Sequence, residues 1–533
     1  MKCPKKGKIE PLLNTCYLKS RKRRSKIANR NGEKTAKQVK KKKKRNNRVF
    51  RAVGKFLVII QILLTLVFIG LTWRLGMIPE KYVAGLAGIL LIFAVFLFTL
   101  QVISRGKAIV SKLFSVLMSA VLIYGSVYLY RTHDAVWDIS GDTLGTEVDS
   151  MLVAVRSDDP AETVADTADY IYGIQHAEDG SDIDKAMEMV NRDAGTEVAT
   201  AEYSNLNEQA GALLDGRVQA IVYNEGYGGI LEEVYDDFQS QIKIIAQYSI
   251  ESDTDNAVLD RAEEVNVEDE TFNIYISGID VYGPVSTKSR SDVNIIATVN
   301  PTTKQILLTN TPRDYYVVIP GVSGSTKDKL THAGIYGVES SMATLENLYD
   351  IDIPFYARVN FTSLITLVDA MGGVDVNSEF AFTTSGEGGA VMNVQKGLNH
   401  FDGKQALAFS RERYNLAGGD NQRGKNQMAV IQAMIKKMLT PEMLLKAPDL
   451  ISQVSDSVET NMAMDQIQEL IQTQLNTGGD WNVKTIAAEG TGESNYCYSM
   501  PGTALYVMEP DQASVDNIKN EMQAVVNGEI LTQ

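Results

Sequence analysis

The apolar positions of this chain follow two regimes. Between residues 56 and 130 they are nearly continuous. Phe56–Trp73, Tyr82–Ile103 and Ala108–Tyr130 each approach the ~20 residues that cross ~30 Å of hydrocarbon. Lys55 and Arg74 bracket the first run, Pro79 lies in the loop after it, and Tyr124, Tyr128 and Tyr130 form an aromatic belt near the end of the third. Lys112, one turn inside the third run, is expected to snorkel to the interface. Beyond residue 131 the runs become short. Met151–Val155 and Ala220–Tyr223 are predicted to be buried strands; Ala161–Tyr172, Asp182–Asn191 and Asn207–Leu214 are predicted to be helices. Leu231–Ser240 is predicted to start as a helix and lead into a strand, Ile242–Tyr248, and the acidic stretch Ser252–Glu270 to be a linker.

After the linker the pattern tightens. Phe272–Ile279, Val293–Val299 and Gln305–Thr309 are rich in Ile, Val, Tyr and Leu and are bounded by Gly, Pro, Asn or Asp, the pattern of strands. The NPTTK segment Asn300–Lys304 is a tight turn, so the second and third runs should pair antiparallel. Downstream, the strands Phe355–Val359 and Val374–Val376 alternate with helices. Those helices are Ser340–Tyr349, Phe361–Met371 stopped by Gly372 and Gly373, one starting near Asp402, and a long amphipathic one from an Asp420 N-cap to about Leu439. The expected organisation is a basic tail (1–55), three transmembrane helices (56–130), a smaller α/β accessory domain (131–268) and a larger α/β domain (269–533), its mixed central sheet flanked by helices.

Charge sharpens this division. The net charge of −14 hides a tail of about +20, with 22 Lys and Arg against Glu10 and Glu33, and a remainder of about −34. The basic tail sets the amino terminus in the cytoplasm, which places everything after Arg131 outside. Nucleic-acid binding is the other reading of a basic tract such as Lys40–Arg45. An adjoining membrane segment and the lack of any DNA-reading motif favour an orienting tail that touches anionic lipid. Of the three cysteines only Cys497 lies beyond the tail, so the acidic part has no internal disulfide, which suits a Gram-positive surface. The four histidines have no metal-ligand spacing, which disfavours a zinc site.

Candidate chemistry gathers at the strand ends. Asp280 closes the first strand, Arg290 and Asp292 open the second, and Arg313 and Asp314 follow the third. In a meander the end of one strand lies beside the start of the next, so all five charges should share one rim, with Gly278, Gly283 and Pro284 shaping the loop. Two carboxylates with two guanidiniums outline a phosphate-plus-metal site, because Mg²⁺ takes one or two carboxylates plus phosphate oxygens and arginine forks grip phosphate bidentately. Further on, Arg411 and Arg413 should point to one side of an extended turn, and Arg423 and Gln427 are i,i+4 neighbours at the start of the long helix. Any one of these is unremarkable as a surface charge. So many guanidiniums on one face repel one another unless an anion fills the space. The accessory domain shows no comparable constellation; its YNEGYGG run, Tyr223–Gly229, has the composition of a ligand loop but is more simply a plain turn.

With these residues in view, the chain resembles the LytR–CpsA–Psr family from about Phe272 to the C-terminus. The matching motifs are GIDVYG with Asp280, SRSDVNIIATVNP with Arg290 and Asp292, TPRDYYVVIPG with Arg313 and Asp314, GGVDV at Gly372–Val376, and DGKQALAFSRERYNLAGGDNQRGKNQ with Arg411, Arg413, Arg423 and Gln427. The three spans and the intervening domain are similar to the CpsA-like subgroup. Thr331 stands where the family often has asparagine, and Asn426 where a second arginine is common.

The resemblance implies a phosphotransferase. It would move a glycopolymer, of capsular or teichoic acid type, from a polyprenyl-pyrophosphate carrier to a hydroxyl of peptidoglycan, leaving a phosphodiester. It implies Mg²⁺, with Mn²⁺ as an alternative, on Asp280 and Asp292, the latter also a candidate for deprotonating the acceptor. Arg290, Arg313, Arg411, Arg413, Arg423 and Gln427 would clamp the pyrophosphate, and helix faces around Leu364, Leu367 and Val368 would line a lipid groove. Membrane lipid is an expected partner and nucleic acid is not. The rival readings are a polyprenyl-pyrophosphate pyrophosphatase and a non-catalytic membrane-bound regulator or transcriptional attenuator.

Overall fold

The computed structural model describes residues 41–533 apart from 43–44, 47, 105–108, 142–145, 177–179, 254–255, 280–284, 387–388, 417–418, 455–456 and 532–533. Asp280, Gly283, Pro284 and nearly all of the basic tail therefore lie outside the described residues. Three helices, Arg48–Leu75, Glu80–Ile103 and Ile109–Arg131, are long and apolar enough to cross a membrane. Their outward faces are apolar, with Ile89, Ile92 and Leu113 exposed, the surface that hydrocarbon would cover. Lys112 is buried, and its ammonium lies 3.7 Å from the centre of the Phe50 ring, near the start of the first span.

Arg131–Gln533 form a second compact unit, together with Gly76–Pro79; among the described residues it holds two large sheets and four two-stranded ones. The first sheet is built from β1 (Thr146–Arg156), β2 (Ile171–Ile174), β3 (Ala199–Glu202), β4 (Ala220–Asn224) and β5 (Ile242–Asp253), in the order β3-β2-β4-β1-β5. Helices α1 (Gly180–Ala194), α2 (Leu206–Leu214) and α3 (Gly228–Val234) connect and cover it. The helix expected over Ala161–Tyr172 is absent. Asp166 accepts from the side chain of Thr163 and from the backbone N–H groups of Glu162 and Thr163, so only a short 3₁₀ turn, Val164–Thr167, forms. The Ile171–Tyr172 end of the segment joins the sheet, where Tyr172 is fully buried. Within the expected linker, Asn256–Glu263 is helical and Ala262 and Val267 are buried against Phe272 and Phe355.

The second sheet holds the expected meander. Strand β6 (Phe272–Ile279) pairs antiparallel with β7 (Ser291–Asn300), and β7 with β8 (Gln305–Asn310), Lys304 taking positive φ in the tight turn. Strand β9 (Phe355–Val359) adds parallel to β6, β10 (Val458–Thr460) antiparallel to β9, and β11 (Asn482–Ala487) parallel to β8. The resulting mixed sheet runs β10-β9-β6-β7-β8-β11.

Alternation along β7 explains the layering. Ile296 packs with Leu307 against α4 (Val338–Tyr349) and the C-terminal helix Gln512–Val526, whereas Ile295, Ala297 and Val299 face Met428 and Met462 on the other side. Helices α5 (Phe361–Ala370), α6 (Gly403–Arg411) and α7 (Gly419–Met438) form an adjoining lobe with Val374, Val376 and Phe401. Gly372 and Gly373 both take positive φ after α5, as a helix stop requires.

Buried charge joins the two sheets. Arg358 of β9 lies 2.7 Å from Glu459 of β10 and 3.2 Å from Glu147 of β1, and all three are buried. Tyr356 Oη donates to Glu459 at 2.9 Å, and Lys288 pairs with Asp149 at 3.0 Å. An ion pair so placed is satisfied only as a set. Arg358→Ala should cost ~3–5 kcal/mol, because it leaves Glu459 buried without its guanidinium and Glu147 with only Lys288, 3.7 Å away. Thermal or denaturant unfolding of the detergent-solubilised chain measures it. A loss below about 1 kcal/mol, the size of a surface pair, would mean that the network contributes little.

Candidate functional site

The rim at the meander's end opens into a cavity of about 590 Å³. Seven of the described candidate residues line it together: Arg290, Asp292, Arg313, Arg411, Arg413, Arg423 and Gln427. Each arrives by a simple local device. Arg290 and Asp292 flank Ser291, where β7 begins opposite the bulged end of β6. Arg313 follows β8 across a short turn. Helix α6 starts at Asp402, which forms a capping box with Gln405, and ends at Arg411; Glu412 is then extended, so Arg411 and Arg413 reach the same cavity. Arg423 and Gln427 sit on the first turns of α7, which begins one residue before the expected N-cap at Asp420.

Asp292 is the negative centre of this cup. Arg313 Nη1 donates to both of its carboxylate oxygens, at 3.0 and 3.1 Å, and Thr331 Oγ1 donates at 3.3 Å. Burial alone would raise this carboxyl, but the guanidiniums of Arg313, Arg290 and Arg423 outweigh it and hold Asp292 well below the usual carboxylate range. A carboxylate so stabilised is a weak proton acceptor near neutral pH. Asp292 is better suited to anchoring cations than to deprotonating an acceptor.

The remaining arginines rest on aromatic faces. The Arg411 guanidinium lies 4.1 Å from the centre of the Phe361 ring and that of Arg413 lies 4.7 Å from Tyr414. Between them Glu412 is buried and accepts from the backbone N–H groups of Tyr414 and Asn415, each at 2.9 Å, and from that of Ser385. That ties the arginine turn to the short hairpin in which Phe382–Thr383 pairs with Asn393–Val394.

Asp314, placed on the rim by sequence, turns away from the cavity. Its carboxylate lies 3.8 Å from Arg313 Nε and 3.3 Å from the ammonium of Lys329, a side chain only 2% exposed. Lys329 in turn lies 2.6 Å from Glu233, which stands 3.9 Å from Arg290. Lys329, Glu233 and Gly229 were not among the expected site residues, and Gly229 and Glu233 belong to α3. Only the adjacent Asp328–Lys329 charges at a strand end hinted at Lys329. The YNEGYGG run is no plain turn, since it ends β4, passes through a 3₁₀ turn at Glu225–Tyr227 and starts α3. Its glycines suggested a ligand loop without pointing to Arg290, more than 60 positions away.

A second polar cluster behind this wall has a different character. Asp328 and Ser499 approach the same ring nitrogen of His332, at 2.6 and 2.9 Å, and all three are buried. Sharing one nitrogen prevents a proton relay through the ring. None of the three lines the cavity; Asp328 instead accepts from the Lys329 backbone N–H at 2.7 Å, holding that lysine in place.

Among the described residues no three His, Cys, Asp or Glu side chains gather as a metal cage. Asp292 does present hard oxygen donors, deprotonated and at the cavity wall. That fits Mg²⁺ in the mode where phosphate oxygens and water complete the shell.

Away from the cup the same cavity becomes apolar. Ile431, Met434, Ile435 and Met438 continue the Arg423–Gln427 face of α7 at helical spacing, and face Leu364 and Leu367 of α5 and Ile467 of the helix Met464–Thr477. Of the expected groove residues, Leu364 and Leu367 line it, whereas Val368 is fully buried in the adjoining core.

A family model described as the LytR_cpsA_psr family matches residues 241–524. A protein of Enterococcus faecalis named polyisoprenyl-teichoic acid–peptidoglycan teichoic acid transferase TagU is 34% identical over 236 residues, 44% of this chain and 75% of that protein. The protein of the same name from Bacillus subtilis is 31% identical over 265 residues, 50% of this chain and 80% of that one. The crystal structure of B. subtilis TagV, 26% identical, covers 48% of this chain and 98% of its own with a TM-score of 0.41. A structure titled TagT bound to LI-WTA, 27% identical, covers 50% and 94% with a TM-score of 0.38.

Because the folded state holds Asp292 ionised more readily than the unfolded chain does, its contribution to stability is complete above the unfolded carboxylate value of about 3.9 and fades as the pH falls towards the lower folded value. Asp292→Asn removes that contribution. The difference in unfolding free energy between wild type and variant should be constant near neutrality and shrink only in strong acid. A difference that instead vanished between about pH 7 and 5 would mean that the carboxyl titrates high.

Proposed function

The chain belongs to the LytR_cpsA_psr family, and on that footing we propose that it transfers a teichoic-acid-type or capsular glycopolymer from a polyprenyl-pyrophosphate carrier to peptidoglycan. One observation carries this reading: a cationic cup and an apolar groove are continuous in a single cavity, along one face of α7. A diphosphate fits the first part and a hydrocarbon tail the second. A soluble nucleotide would use only the cup.

The chemistry follows from the placement. A peptidoglycan hydroxyl attacks the phosphorus that carries the polymer. A new P–O bond forms, the P–O bond to the bridging oxygen breaks, and polyprenyl phosphate leaves with the electron pair. The hydroxyl proton goes to a base or water. Arg290, Arg313, Arg411, Arg413 and Arg423, with Gln427, hold the two phosphates and offset the charge that grows on the leaving group. Asp292 orients Arg313 and, with Asp280, would hold Mg²⁺ or Mn²⁺, which supplies further neutralisation of the phosphate oxygens. Leu364, Leu367, Ile431 and Ile435 take the lipid tail. The spans fix the protein in the membrane with the amino terminus inside and the larger unit outside, where carrier and acceptor meet.

Arg413→Ala should abolish polymer attachment while the protein still reaches the membrane. Wall-bound polymer measured in cells carrying only the variant reads this, and wild-type amounts would refute the reading. Excess chelator should lower turnover of the purified enzyme; full activity in chelator would remove the metal from the scheme.

A further inference from the structure

The proposed transfer leaves the accessory domain without a role. Resting on that reading, we propose that the domain is a working part of the pyrophosphate site: Gly229 and Glu233 are positioning residues that set the guanidinium of Arg290.

Three observations converge on this arginine. First, the segment leading to it is fastened to β1. Val148 N donates to Ser286 O at 2.9 Å, and Lys288 N donates to Val148 O at 2.8 Å. Second, Gly229 lies so close to Arg290 that a Cβ added there would overlap the guanidinium. The absence of a side chain leaves the guanidinium the space beside the start of α3. Third, Glu233 stands 3.9 Å from Arg290 and is itself held by Lys329 at 2.6 Å, which Asp314 backs at 3.3 Å.

The sign of the Glu233 effect follows from these distances. A carboxylate near an arginine competes with phosphate when it is that arginine's close partner. Here the short contact is to buried Lys329, which neutralises most of the charge and leaves a weaker, orienting pull on Arg290. Without it, the attraction of Asp292, which lines the same cavity, acts on Arg290 with less opposition. The guanidinium would then move towards Asp292 and away from the space the phosphates need.

The test uses the full chain in detergent with two probes, a C20 prenyl pyrophosphate and the matching C20 prenyl alcohol. The wild type should prefer the pyrophosphate, and Arg290→Ala should erase most of that preference. Gly229→Ala and Glu233→Gln should each weaken pyrophosphate binding by roughly tenfold while alcohol binding stays as in the wild type. Wild-type affinity in both variants, tighter binding in Glu233→Gln, or an equal loss for both probes would overturn the proposal. A wild-type protein that does not distinguish the probes would instead remove the pyrophosphate reading of the site.

Discussion

Five guanidiniums cannot line one cavity unless their repulsion is met. Much of the structure follows from how this protein meets it. Asp292 takes Arg313 and lies under the influence of Arg290 and Arg423; Phe361 and Tyr414 carry Arg411 and Arg413 on their ring faces. Behind the wall the charges alternate through Glu233, Lys329 and Asp314 back to Arg313. Each contact steadies an arginine without matching the two-pronged grip that a phosphate offers. The cup is thus held in shape by internal partners, none of which has the geometry of a phosphate.

The same constraint explains why two sheets behave as one body. Arg358, Glu147 and Glu459 cannot be left singly in a buried place, and they come from β9, β1 and β10. An apolar seam runs alongside, where Ile335, Cys497, Met500, Leu505 and Val507 complete the core of the first sheet. The accessory sheet is therefore braced against the edge of the site by charge and by packing together.

What could be read from the chain was what neighbouring residues decide. The β6–β8 meander is legible because β-branched runs alternate with Gly, Asn and Pro. The convergence of Arg290, Asp292 and Arg313 then follows from antiparallel pairing alone. Arg411 and Arg413 were legible from a helix end, and Arg423 and Gln427 from helical spacing. Ala161–Tyr172 misled because its apolar spacing suits a helix, while Asp166 diverts the backbone and Tyr172 finds a strand partner. Glu233 and Lys329 stayed hidden for a different reason. Their contact joins positions 96 apart, and no local pattern encodes which of many acidic residues will reach a given lysine.

One helix face carries both halves of the cavity. From Arg423 to Met438 it rises about 22 Å at 1.5 Å per residue, as a single rod. Head and tail of a bound carrier would therefore be gauged against one fixed scale. In the proposed transfer only the head would be discharged: one phosphate would depart with the polymer, and the hydrocarbon would keep its place along the helix. The spent carrier would then be retained by its tail, and the pace of repeated cycles would be governed by how quickly that tail slides out.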